Sequence, residues 1–120
     1  MGKTFGREAA VVDEDGQLYC PSCGDTYLHQ RNTTIFQRGE DGDTTTVIAQ
    51  NGNTVQATDF PNADTCNPSW RRHGMIIEFE CEQCHGDGWD PKTETHIPSK
   101  EPPHRLAILQ HKGNTFVEWL

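Results

Sequence analysis

The sequence predicts an all-β chain, and three features of its 120 residues lead there. From Leu18 onward, short runs rich in Thr, Val, Ile and aromatics alternate with turn residues, the spacing of strands and hairpins. No apolar pattern of period 3.6 persists beyond two turns, so little helix is expected. The third feature is a shortage: Val, Ile, Leu and Phe number 21, beside a formal charge of −8. Such a chain sits at the border where burial no longer offsets the entropy of ordering. Something besides a hydrophobic core has to hold it, and the five cysteines are the candidates.

Residues 1–16 read as a charged arm ending in Asp13-Glu14-Asp15-Gly16, mobile or added as an edge strand, and 17–120 as a single domain. The first strand is expected over 33–38. Strands over 44–49 and 54–58 are joined through Asn51-Gly52, a dipeptide suited to a type I′ turn. A two-residue loop there sets Gln50 opposite Asn53 and Ile48 opposite Val55. Residues 59–75 read as a loop containing Asn67-Pro68-Ser69-Trp70-Arg71-Arg72-His73-Gly74. Over 75–81 a strand returns, with Ile77, Phe79 and Cys81 on one face and Glu78 and Glu80 on the other. The Pro- and Gly-rich stretch 86–104 is expected to be an irregular excursion. The last hairpin pairs 105–110 with 115–119 through His111-Lys112-Gly113-Asn114, where Gly113 can take positive φ. That makes five to seven strands with one inserted hairpin.

The strongest chemical signal is Cys20-Pro21-Ser22-Cys23-Gly24 together with Cys81-Glu82-Gln83-Cys84-His85-Gly86. Two Cys-x-x-Cys units in one chain suit a tetrahedral four-thiolate zinc site, since a two-residue spacer lets both sulfurs of a unit reach one ion. Between the units lie 57 residues, far more than the usual gap. Loop-closure entropy grows logarithmically, so the excess costs roughly 1 kcal/mol, against the ~10–16 kcal/mol that structural zinc contributes. Two disulfides would leave Cys66 over and require export, of which nothing in the sequence speaks. Cys81-Glu82-Gln83-Cys84-His85 matches a c-type haem attachment motif, but that reading leaves Cys20 and Cys23 unused. A redox pair needs a βαβ context that the chain lacks. A mixed site using one of six histidines, with His85 nearest in sequence, is a remaining alternative. The expectation is one structural zinc per chain on Cys20, Cys23, Cys81 and Cys84, with Cys66 a free or buried thiol. Four thiolates and one zinc ion would move the charge from −8 to about −10.

With its two knuckles carried on strands or hairpins, the chain resembles the zinc-ribbon family. Cys81-Glu82-Gln83-Cys84-His85-Gly86-Asp87-Gly88 also matches one unit of the J-protein co-chaperones, a family that uses four. More broadly, residues 18–120 resemble small single-zinc-ribbon proteins of actinobacterial phages and their hosts. The resembling stretches are Leu18 to Gly24, Asn67 to Gly74, Phe79 to Cys84, and Gln110 to Thr115 followed by Glu118-Trp119. The resemblance implies fold and metal, and it implies no activity. Residues 87–104 exceed the linker usual in that group.

Composition and motifs bound the function. Ten basic against eighteen acidic residues argue against a general nucleic-acid coat. No apolar run approaches a membrane span, the N-terminus lacks an apolar signal region, and Gly6 misses the myristoylation pattern. A soluble, cytoplasmic protein is expected. There is no nucleophile elbow, phosphate-cradling loop or His-Glu-x-x-His helix, so the sequence leans against an enzyme. A small hydrolase would need His29, His73 and His111 to converge with Arg71 or Arg72. Tyr27-Leu28-His29-Gln30 otherwise reads as a core-facing strand, and Glu40-Asp41-Gly42-Asp43 as a solvated turn. Trp70-Arg71-Arg72-His73 stands out as a basic and aromatic cluster in an acidic chain, with His111 and Lys112 as second contributors. Arg recognises carboxylate or phosphate through paired N–H groups, and Trp offers a stacking surface; the same residues can also serve internal pairing and packing. The expected function is a zinc-stabilised binding module, a phage or host regulator acting through protein–protein contacts. The alternative is a nucleic-acid-binding ribbon using Trp70, Arg71 and Arg72.

Overall fold

Runs of β-branched residues pair as six long antiparallel strands, and their register decides where the cysteines meet. The structure is a computed structural model describing residues 3–4, 7–10, 12–39, 41–69, 72–85, 88–97 and 102–120. Its elements are β1 (Lys3–Thr4), β2 (Arg7–Ala9), β3 (Leu28–Gln37), β4 (Thr44–Asn51), β5 (Thr54–Pro61), a 3₁₀ turn (Asn62–Asp64) and β6 (Gly74–Cys81). There follow α1 (Glu82–His85), β7 (Gly88–Asp90), β8 (Thr95–Ile97), β9 (His104–His111) and β10 (Asn114–Trp119). The fold is all-β with a single turn of α-helix among the described residues. One sheet runs β1-β2-β10-β9-β6-β3-β4-β5, and β7-β8 forms a separate hairpin.

Two short pairings add to the six expected strands. The N-terminal arm supplies an edge, with Ala9 opposite Glu118 and β1 folded back on β2. Within 86–104, where only irregular chain is expected, Gly88 to Asp90 pairs with Thr95 to Ile97. Pro91 opens the intervening turn and Glu94 closes it at φ 53°, so a tight reversal forms where the composition reads as loop.

The central strands β6 and β9 are continuously apolar over residues 75–77 and 106–109, so there they present apolar side chains to both faces. One face carries Cys81, Phe79 and Ile77 from β6, Leu106 and His104 from β9, and Trp119 from β10. The other carries Ile76, Ala107, Leu109, Phe36, Thr45 and Glu118, all buried. A bulge in β3, where Gln30 pairs with Phe79 but Thr33 with Ile77, inserts one extra residue. It keeps Leu28 and Ile35 on the face of Cys81 although their sequence parity differs.

The inserted hairpin forms with a register displaced from the expected one. Asn51 pairs with Thr54, Gln50 with Val55 and Ile48 with Ala57, so the loop is Gly52-Asn53 rather than Asn51-Gly52. Gly52 has φ 60° and Asn53 does not, which is the II′ arrangement with glycine first. The displacement moves both partners by a whole pleat and leaves every side chain on its expected face. At the last hairpin Lys112 and Gly113 are both positive, φ 51° and 81°, giving a type I′ turn.

Residues 62–69 cross over the second face. Thr45 Oγ1 donates to Asn62 Oδ1 at 2.7 Å, and Asn62 Nδ2 donates to the Gly42 carbonyl at 2.7 Å. Asn67 Oδ1 accepts from the Ser69 N–H at 3.0 Å while its amide donates to the Arg72 carbonyl at 2.9 Å. Ser69 is fully buried; its hydroxyl donates to the His73 carbonyl at 2.5 Å and accepts from the Gln110 N–H at 2.8 Å. That one hydroxyl carries the sheet pairing past the start of β6. Such close approach requires Gly74, where an added Cβ would collide with Asn67 Oδ1 and lie 3.1 Å from the Pro68 ring. Gly74→Ala is therefore expected to destabilise the chain by about 1–3 kcal/mol. A denaturation midpoint equal to that of the unaltered protein would contradict this.

Candidate metal centre

The first knuckle is a closed turn. The Cys20 N–H donates to the Asp25 carbonyl at 2.8 Å, and the Gly24 N–H donates back to the Cys20 carbonyl at 3.0 Å. Gly24 takes φ 78°, which is what the small residue after the second cysteine is for. The Ser22 N–H lies 3.4 Å from Cys20 Sγ. The second knuckle begins at the end of β6 with Cys81, and the single turn of α1 swings Cys84 back beside it. Pairing of β3 with β6 closes the 57-residue gap: Leu28 stands opposite Cys81, and the Glu82 N–H donates to the Tyr27 carbonyl at 3.1 Å.

The four sulfurs of Cys20, Cys23, Cys81 and Cys84 all lie within 4.8 Å of one another. Cys20 Sγ is 3.7 Å from Cys84 Sγ, and Cys23 Sγ is 3.5 Å from Cys81 Sγ. A zinc ion bonded at about 2.3 Å to four sulfurs in a tetrahedron sets them roughly 3.8 Å apart. Disulfides need about 2.05 Å. The cluster thus has the size of a four-thiolate metal site and can hold one metal ion. Its burial is uneven: Cys81 and Cys20 are 0% and 3% exposed, Cys84 is half-buried and Cys23 is exposed. Cys66 is exposed and stands outside the cluster.

Burial pushes the Cys81 thiol upward. It pushes Cys84 well up too, with the thiols of Cys23 and Cys20 adding to the shift. At Cys20 burial also opposes ionisation, but the backbone N–H groups of Cys23 and Ser22 outweigh it and the thiol moves down. Without metal, the folded chain therefore keeps protons on Cys81 and Cys84 that the unfolded chain gives up from pH 9.0 upward. The folded state then binds more protons, so stability falls as pH rises. Cys20 contributes in the opposite sense, its share being lost as pH falls through its lowered value. Zinc has to displace the protons held on Cys81 and Cys84, so the expected result is a metal affinity that rises with pH, read by chelator competition. An affinity that does not change with pH would be inconsistent with it.

Comparison of the chain with protein-family models, with curated proteins and with solved structures found no match. The four-cysteine cluster in a β-sheet frame accordingly carries the assignment of a metal-binding module.

The second candidate surface lies at the other end of β6, about 24 Å from Cys81 along the strand. Of its expected members, Trp70 and Arg71 lie outside the described residues. Arg72 and His73 are exposed, and His73 Nδ1 accepts the Arg38 N–H at 3.0 Å. The Ser69–Gln110 bond brings this loop against the β9–β10 hairpin, whose tip presents Lys112 exposed and His111 half-buried. The basic loop and the basic tip are therefore neighbours. His29 is not among them: it is exposed at the metal end of the sheet, its Nε2 2.8 Å from Glu82 Oε1. The core-facing position expected for it is wrong: His29 sits opposite Glu80, and β4 pairs with β3 only from Thr33 onward, so His29 lies exposed at the sheet's rim. A pocket converging His29 with His73 and His111 does not form.

Two residues stand out that the sequence reading missed. Among the described side chains, the histidine touching the thiols is His104, with Nε2 3.3 Å from Cys20 Sγ; the side chain of His85 lies outside the described residues. Glu118 is 1% exposed, and neither carboxylate oxygen has a hydrogen-bond partner among the described residues. It lies between Ala9 and Ala107 on the face that also carries the buried Ile76 and Leu109.

Proposed function

We propose that the chain is a small zinc-stabilised binding module that acts through protein–protein contacts. The observation carrying this reading is the set of four thiols within 4.8 Å of one another in a chain with so few large aliphatic residues. Cys20, Cys23, Cys81 and Cys84 would hold the ion, and four thiolates leave no position for water, so zinc supplies cross-linking of strands and not a reaction. With the metal at one end of β6, Asn67 and Ser69 fasten their own segment to the Arg72 and His73 carbonyls at the other, next to Gly74. Arg72, His73 and Lys112 give that end a basic character in an acidic chain, suited to a carboxylate-rich protein surface.

Affinity capture of partners before and after nuclease treatment tests it. Partners that persist after nuclease, and are lost with Arg71→Ala/Arg72→Ala while zinc content stays intact, support the module. Partners that vanish with nuclease would replace it by a nucleic-acid-binding ribbon. Unchanged capture by a folded double variant would move recognition away from this loop.

A further inference from the structure

His104 stands next to the metal cluster without belonging to it by spacing or motif. Its Nε2 is 3.3 Å from Cys20 Sγ, a sulfur that also lies 3.4 Å from the Ser22 N–H. Cys20 is 3% exposed, so bulk water cannot solvate its charge. A metal-bound thiolate has no proton to give, which makes the nearby ring nitrogen the donor. The ring is held in place from two directions. β9 sets His104 opposite Phe79 of β6, and Trp119 meets both rings edge-on, at 6.1 Å from His104 and 6.0 Å from Phe79. Trp119 is itself 5% exposed. A ring packed edge-on against the buried Trp119 thus stands with one nitrogen beside one sulfur.

Resting on the zinc reading above, we propose that His104 is a positioning residue of the metal centre, donating its Nε2–H to the Cys20 thiolate. Zinc with four thiolates carries a net charge of −2, and N–H donors to the sulfurs offset it. The donors are distributed unevenly. Cys20 is buried and has Ser22 and His104 close by, whereas Cys23 is exposed to water. Cys23 is then the ligand that solvent and competing ligands reach first. The contact also links the centre to the far C-terminal strand, since His104 and Trp119 lie on β9 and β10 and the ligands on neither.

The test uses the full chain with His104→Phe, which keeps a ring for Trp119 but has no N–H, and His104→Gln, which keeps a donor. Zinc affinity is read by chelator competition, and the ligand set by the absorption of the cobalt(II)-substituted protein. Loss of a second-sphere donor lowers metal affinity about tenfold to hundredfold. The expected result is that loss in His104→Phe, recovery of most of it in His104→Gln, and a four-thiolate cobalt spectrum throughout. Equal affinity of His104→Phe and the unaltered chain would overturn the proposal while leaving the four-cysteine site standing. So would His104→Gln binding as weakly as His104→Phe, or a three-thiolate, one-imidazole spectrum in the unaltered chain, which would make His104 a ligand. An unaltered chain that takes up neither metal would remove the zinc reading itself, and this proposal with it.

Discussion

Replacing Cys81 and Cys84 together by Ser is expected to abolish zinc binding and unfold the chain at room temperature. Cys81 is 0% exposed at the point where β6, β3 and the first knuckle join. Structural zinc contributes on the order of 10–16 kcal/mol, while the net stability of a domain this size is about 5–15 kcal/mol. The two numbers are comparable, and the core offers little else: among the described hydrophobics only Phe36, Ile76, Leu106, Ala107, Leu109 and Trp119 are buried besides two of the cysteines. Circular dichroism should show loss of β signal, and Trp119 fluorescence should shift to that of a solvated indole. Cys66→Ser, exposed and away from the cluster, should change neither metal content nor midpoint. A double variant that stays folded with an unchanged midpoint would show that the sheet stands without metal.

Glu118→Met is expected to act in the opposite direction and stabilise the chain. The Glu118 side chain is 1% exposed, and its carboxylate oxygens have no hydrogen-bond partner among the described residues. A buried polar group left unsatisfied costs about 1–3 kcal/mol, more if charged. Methionine keeps the unbranched shape and removes the polar atoms, and its flexible thioether fits irregular space. The neighbours across the sheet are Ala9 and Ala107, so no side chain there has to give way. Thermal denaturation should show a midpoint raised by several degrees, with Glu118→Gln giving a smaller change because an amide still needs partners. A lower midpoint for Glu118→Met would mean that the carboxylate is satisfied in solution.

Much of the frame was legible in the residues. Thr, Val and Ile runs, turn dipeptides and alternation locate the six long strands, and the two Cys-x-x-Cys units locate the metal cluster across 57 residues. What escaped is what depends on pairing. Asn51-Gly52-Asn53 allows a I′ turn on the first two residues or a II′ turn on the last two, and only the contacts of β4 with β5 choose between them. Nothing local in the sequence marks Glu118 as buried; its burial comes with β10 lying between β2 and β9. His104 follows two prolines at the end of an apparent loop; nothing local announces that β9 will carry it to Cys20, 84 residues away. The β7–β8 hairpin is short and its turn is unlike the dipeptides that mark the others.

Native mass spectrometry of the unaltered chain, followed by thiol alkylation, tests the central claim most directly. The account predicts one zinc ion per chain, with Cys66 alone alkylated until the metal is removed, and all five cysteines reacting afterwards. A metal-free chain, or one whose Cys20, Cys23, Cys81 and Cys84 alkylate at the rate of Cys66 while zinc stays bound, would contradict it.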